Sequence, residues 1–466
     1  MNTPICDFVR QYAEKNPIRF HMPGHKGKSG PRSFGADGIL PLDITEIAGA
    51  DVLYAPESII RESEETASSL FGSGKTLYSA EGSSLCIRAM LTLAVMHAKL
   101  RGRRAKIAAG RNAHRVFLEG CALLDLDVEW LGTGDELLRA GIDCEELETM
   151  FAEEERAPTA VYITSPDYLG NRTELSRLAE LCHRHDALLL VDNAHGAYLK
   201  FLERSEHPLD CGADLCCDSA HKTLPVLTGG AYLHASRTCP EELLMMAGRA
   251  MALYASTSPS WLILQSLDAA NALLSGEYPD RIRETAERLH CVKQRLREQG
   301  WEQAGDEPLK LTLCPKSRGY TGTELAGILQ EKNIFCEFSD PDYLVLMVTP
   351  ENTREELDCL LAELAQLPQR TPIGTRPPRT GRPIPVLRPH EVLFRPFERI
   401  RAEESVGRIL ASPGVSCPPA VPIVICGERI DSRALELFRY YGIESCDVVK
   451  EQVPGANDTT DGSTAS

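Results

Sequence analysis

With 466 residues, 43% of them hydrophobic and 25% charged, the chain has the composition of a folded globular protein with room for two or three cores. A formal net charge of −17 argues against non-specific nucleic-acid binding. The apolar runs are too short to span a bilayer, and MNTPICDFVRQYAEKN carries acidic residues and no apolar stretch of the kind a signal peptide needs. A cytoplasmic location is therefore expected, with the sixteen cysteines as reduced thiols rather than a disulfide framework.

In chain order, residues 1 to 16 read as an amphipathic helix and Phe20 to Gly30 as a glycine-rich arm. Glu57 to Phe71 suits a helix closed by Gly72. FGSGKT at Phe71 to Thr76 imitates a nucleotide-binding loop, but Ser69 stands where that pattern needs glycine, and a helix precedes it instead of a strand. Glu81-Gly82-Ser83-Ser84 leads into a helix from about Leu85 to Leu100, so free N–H groups and the hydroxyls of Ser83 and Ser84 form an anion cradle. Lys106 to Ala109 and Ala160 to Ile163 are short strands, running into Arg111-Asn112-Ala113-His114 and Ser165 to Asn171. Cys182, His183 and His185 fall on a helix where adjacent side chains face apart, so no metal site is expected there.

Ala187 to Val191 is wholly apolar, as a strand buried on both faces of a parallel sheet must be, and it stops at Asp192. Asn193-Ala194-His195-Gly196 then gives small and polar residues where the backbone turns near a ligand. The next strand, Ala213 to Cys217, runs into Asp218-Ser219-Ala220-His221-Lys222, which places Lys222 on a loop at the same sheet edge. A lysine there can condense with an aldehyde cofactor, and a carboxylate on a neighbouring strand end can keep a pyridine nitrogen protonated. Asp192 and Lys222 thus fit pyridoxal phosphate (PLP) chemistry. Alternating strands and helices over about residues 76 to 235 imply an α/β fold with a mainly parallel, doubly wound sheet.

A helix follows STSPSW and runs to about Ser275, and a second spans Tyr278 to Gln299. A smaller α+β domain has strands at Leu309 to Leu313, Asn333 to Glu337 and Tyr343 to Val348, and a helix at Thr353 to Leu364. The expected divisions are a helix and arm at 1–30, the cofactor domain at 31–277, the small domain at 278–365, a Pro/Arg-rich linker at 366–388, a C-terminal region at 389–450 and a disordered tail at 451–466.

VDNAHGAYL from Val191, SAHKTLPVLTGGAYLH from Ser219, FHMPGHKG from Phe20, LDITEIAGADVL from Leu42, RNAH from Arg111, SPDYLGN from Ser165 and STSPSW from Ser256 together resemble the ornithine/lysine/arginine decarboxylase family of fold-type I PLP enzymes. The likeness is strong over about residues 10 to 275 and looser through GRILASPGVSCPPAVPIVICGERI. It departs at Leu85-Cys86-Ile87, at PPAVP and at the CGE tripeptide of Cys426 to Glu428, where PGE is usual.

The resemblance implies PLP on Lys222, Asp192 at the pyridine nitrogen, His114 stacked on the ring, Ser83, Ser84 and Ser219 at the phosphate, and Ala194 and His195 beside the cofactor. It places Thr257 near the phosphate of a partner subunit's cofactor and the arm across a dimer interface, hence a homodimer with shared sites and a family form without a large amino-terminal domain. His221 or Lys222 would reprotonate Cα after decarboxylation. Glu337 and Asp340 are candidates for binding the distal cation of arginine, lysine or ornithine. The alternatives are another fold-type I reaction, such as transamination, or a degenerate PLP-binding regulatory protein.

Overall fold

Seven strands make the central sheet of the computed structural model, which describes residues 2–28, 38–132, 142–379, 381, 383–416 and 422–451. They are β1 (Lys75–Ser79), β2 (Lys106–Gly110), β3 (Asp127–Leu131), β4 (Ala160–Thr164), β5 (Leu188–Asp192), β6 (Leu215–Asp218) and β7 (Ala231–Ala235). Their order is β1-β7-β6-β5-β4-β2-β3, and β7 alone runs antiparallel to its neighbours. The helices of this unit are α1 (Pro4–Glu14) and α2 (Ile59–Phe71) before the sheet, then α3 (Gly82–Leu100), α4 (Arg115–Leu123), α5 (Cys144–Ala152), α6 (Leu175–Arg184), the single turn α7 (Ala220–Thr223), α8 (Glu241–Ala252) and α9 (Trp261–Leu274).

Burial explains the sequence of each layer. Every residue of β5 is buried, because helices cover both faces of the sheet. α3 is apolar almost all round because it lies between the sheet and α8. It is also the one helix among the described residues long and apolar enough to cross a membrane, and here it is core.

FGSGKT is the α2–β1 connection, with Gly72 closing α2 at φ +70°. Lys222, expected on a loop, lies instead in α7, where Lys222 N donates to the Ser219 carbonyl. β6 begins two residues later than expected, at Leu215, because Ala213 N is committed to the Pro208 carbonyl.

α10 (Tyr278–Glu298) leads to a four-stranded antiparallel sheet of β8 (Gln303–Ala304), β9 (Lys310–Leu313), β10 (Phe338–Ser339) and β11 (Leu344–Met347), with α11 (Gly322–Glu331) and α12 (Arg354–Gln366) packed around it. The expected strand at Asn333 to Glu337 is not there. Asn333 takes a left-handed conformation (φ +59°) to end α11, and pairing starts only at Phe338. α12 opens with a capping box between Thr353 and Glu356.

This smaller unit grips the loop after β4. The Gly170 carbonyl accepts from Asp306 N and Glu307 N at 2.8 and 2.9 Å, and Lys310, ion-paired with Glu307 at 2.8 Å, donates to the Asp167 carbonyl.

Residues 368–379 are extended and mostly exposed, with Arg370 anchored 4.0 Å over the Tyr320 ring. Beyond them lie α13 (Pro389–Leu393), β12 (Phe397–Arg401), β13 (Gly414–Ser416), β14 (Pro422–Ile425), α14 (Ser432–Tyr440) and β15 (Ser445–Val449), around a core that includes Leu410, Val424, Phe438 and Val448. Most of PPAVP and the tail beyond Glu451 lie outside the described residues. Among the described cysteines, Cys291 on α10 and Cys359 on α12 are the exposed ones.

Candidate active site

The parallel strands and β1 all end at one edge of the sheet, and a cavity of about 430 Å³ opens there. Asp192, at the end of β5, is 2% exposed at its wall. Its carboxylate accepts from Tyr162 Oη at 3.1 Å and from Ala194 N at 3.2 Å. Tyr162 stays protonated for this role, because burial pushes its phenol well above the ordinary value.

Lys222 reaches the same cavity from α7, and its Nζ donates to His195 Nε2 at 3.0 Å. Burial pulls Lys222 below the ordinary lysine value, opposed by the nearby Asp192 carboxylate. Burial, reinforced by the Lys310 and Lys222 charges, also holds His195 well below the usual imidazole value, so it is a neutral acceptor at Nε2. Its buried Nδ1 has no hydrogen-bond partner among the described residues.

Ser83 and Ser84 sit in the first turn of α3, where N–H groups lack intrahelical partners. Gly82 turns the chain from β1 into that helix at φ +70°, a conformation that disfavours side chains. Ser219 Oγ donates to Ser83 Oγ at 2.9 Å, and Ser84 lines the same cavity. His114 lines the cavity as the N-cap of α4, with Nδ1 accepting from Val116 N. His221 also lines it, and its Nδ1 lies 2.9 Å from the Gly230 carbonyl.

A phosphorylated pyridine aldehyde fits this set: an amine in reach of an aldehyde, a buried carboxylate suited to a pyridinium, and a helix start with hydroxyls suited to a phosphate.

Two of the candidate residues do not line this cavity. Thr257 is exposed and outside the cavity wall, on a segment tethered to the start of α3 by Ser256 N donating to Glu81. Asp340 is 5% exposed and turns away, because its Oδ1 accepts from Asp342 N and Tyr343 N, both at 2.7 Å, closing the β10–β11 hairpin. Asp340 thus caps the turn and does not line the cavity. Glu337 does line the cavity, and Tyr168 Oη donates to its Oε1 at 3.2 Å.

Tyr162 and the side-chain role of Tyr168 were not read from the sequence. Tyr162 is level with Leu190, two residues before Asp192, so it could have been found only once β4 and β5 were known to be neighbours. Cys182 is in the core, His183 pairs with Asp214 and His185 stacks on Phe151, so these three residues point to separate partners. A different cluster is fully buried behind the site: His207 and His234 both approach Asp218 Oδ2, at 3.0 and 3.3 Å, and Asn193 donates to its Oδ1.

Residues 3–305 match the family model for the Orn/Lys/Arg decarboxylase major domain, and residues 384–466 that for the C-terminal domain. An arginine decarboxylase of Halalkalibacterium halodurans is 31% identical over 471 residues, covering 94% of this chain and 93% of the relative. One from Bacillus subtilis is 29% identical, covering 92% and 91%. Lysine decarboxylase A from Pseudomonas aeruginosa has the same fold with a TM-score of 0.78 at 17% identity, over 96% of this chain and 80% of that one. A Francisella novicida lysine decarboxylase gives 0.76 at 16% identity, over 96% and 81%.

Proposed function

Because the chain belongs to the Orn/Lys/Arg decarboxylase family, and so is a PLP-dependent decarboxylase of basic amino acids with the fold-type I architecture, we propose that its substrate is arginine and its product agmatine, a polyamine precursor. The observation that carries this reading is one cavity lined by Lys222, Asp192 and, from the smaller unit, the carboxylate of Glu337. The arginine decarboxylases among the relatives support it.

When bound, PLP supplies an electron sink for the pair left on Cα as carbon dioxide departs. Lys222 would hold the cofactor, Asp192 would keep a proton at the pyridine nitrogen, and His114 would lie against the ring face. The α3 N-terminus with Ser83, Ser84 and Ser219 takes the phosphate, and Ala194 and His195 border the ring. Glu337, oriented by Tyr168, takes the guanidinium, whose planar fork suits a carboxylate better than an ammonium does.

The proton that replaces the carboxylate at Cα comes from Lys222, whose depressed pKa eases the transfer. Neutral His221 has its one N–H committed to the Gly230 carbonyl, so its Nε2 is an acceptor. Burial also pulls His221 below the ordinary imidazole value, against protonation. We assign Thr257 to the partner subunit's site, in a homodimer.

Carbon dioxide release from arginine, lysine and ornithine tests the reading. Arginine should be the preferred substrate, and Lys222→Ala should lower kcat by roughly a thousandfold or more. Preference for lysine or ornithine would overturn the arginine assignment. Release unaffected by Lys222→Ala would overturn the site.

A further inference from the structure

The CGE tripeptide takes no part in the chemistry above, yet its glutamate is among the most enclosed charges in the molecule. The Glu428 side chain is 3% exposed. Its Oε1 accepts from Arg111 Nη1 at 2.6 Å, and its Oε2 from Arg111 Nη2 at 3.0 Å and from Ile425 N at 2.8 Å. The turn that presents it is tightly built. Gly427 has φ +88°, and a Cβ there would come within 2.0 Å of the Leu387 carbonyl.

Arg111 is the first residue after β2, three before His114, and the turn between them closes by Ala113 N donating to the Gly110 carbonyl at 3.1 Å. The other end of α4 is held by the same C-terminal unit. His390 Nδ1 lies 2.7 Å from the Ala122 carbonyl, Val392 is packed in the core that holds Phe117 and Cys121, and Arg388 pairs with Asp125 and Asp127 just beyond the helix. The C-terminal unit therefore clasps, at both ends, the helix whose N-cap is His114, while none of its described residues lines the cofactor cavity.

We propose that Glu428 is a positioning residue: by fixing Arg111 it sets the Gly110–His114 turn and thus the pose of the imidazole against the cofactor ring, which makes the C-terminal unit a working part of the active site. The proposal rests on the assignment of His114 to the ring face. A bidentate carboxylate–guanidinium pair fixes direction as well as distance, and removing the carboxylate's charge leaves a half-buried guanidinium without its counter-ion.

The test is a double-mutant cycle in the full-length holoenzyme with Glu428→Gln and His114→Ala. Its readouts are kcat and KM for carbon dioxide release, the visible circular dichroism of bound PLP, and the PLP affinity of the apoprotein. Glu428→Gln should lower kcat on the order of ten- to a hundredfold, as expected for a misplaced group. KM should stay within about twofold, as for a group that does not bind the substrate. The PLP dichroism should weaken. In the His114→Ala background it should change neither quantity further.

Arg399→Ala, which breaks the exposed pair with Asp447 in the same unit, should leave all three readouts at wild type. If Glu428→Gln does not accumulate as folded holoenzyme, Arg111→Lys, which keeps the charge but not the fork, carries the same cycle. Additive effects, or no effect of the Glu428 change, would overturn the proposal while leaving the His114 assignment standing. A His114→Ala enzyme with wild-type kcat and dichroism would overturn both.

Discussion

Lys222 is held between two opposing influences, burial that disfavours its charge and the Asp192 carboxylate that favours it, and the net effect is a lowered pKa. Such an amine gives up a proton more readily than an exposed lysine does. A second residue-scale effect lies outside the site. Glu64 is buried beneath β1 and accepts from Tyr78 N at 2.9 Å, and burial raises its carboxyl from 4.5 to about 8. A carboxyl whose folded pKa lies above its unfolded value contributes stability that is complete below pH 4.5 and is lost as pH rises through about 8. Thermal unfolding midpoints measured across that window should therefore fall with pH for this group, and Glu64→Gln should flatten the slope. An unchanged slope would mean that Glu64 ionises in the folded protein as freely as in the unfolded chain.

The β10–β11 hairpin separates two carboxylates that look alike in the sequence. Asp340→Ala should destabilise the fold by about 1–2 kcal/mol, the scale of lost hydrogen bonds at a buried acceptor, with KM for arginine unchanged. Glu337→Gln should do the reverse, raising KM about tenfold or more while leaving the unfolding midpoint in place. Equal effects on KM would return Asp340 to the site. The elements whose sequence matches a single physical demand were the legible ones. β5 had to be apolar throughout because both faces are covered, so its end at Asp192 could be read directly. The α3 start was legible from Gly82-Ser83-Ser84. Asn333 to Glu337 misled because its apolar residues suggest a strand, whereas Asn333 is spent on ending a helix. Tyr162 was hidden for another reason: its contact with Asp192 depends on which strands are neighbours, and that is a property of the sheet.

At the scale of the molecule, the arm and the residues leading into it carry apolar side chains that no described residue covers: Phe20 is 95% exposed and Ile18 85%. Phe20→Asp should shift sedimentation from dimer to monomer and reduce carbon dioxide release in parallel. A monomeric wild type with full activity would remove the shared-site reading. The cysteines add a practical consequence. Burial raises Cys86, Cys182 and Cys217 among others, so these thiols resist reagents that need a thiolate. Cys291 and Cys359 stand out in solvent on α10 and α12, which pack against each other beside the smaller sheet. Nature has thus left a matched pair of attachment points for dyes or spin labels on the unit that supplies Glu337, through which its motion during turnover can be followed without engineering a new residue.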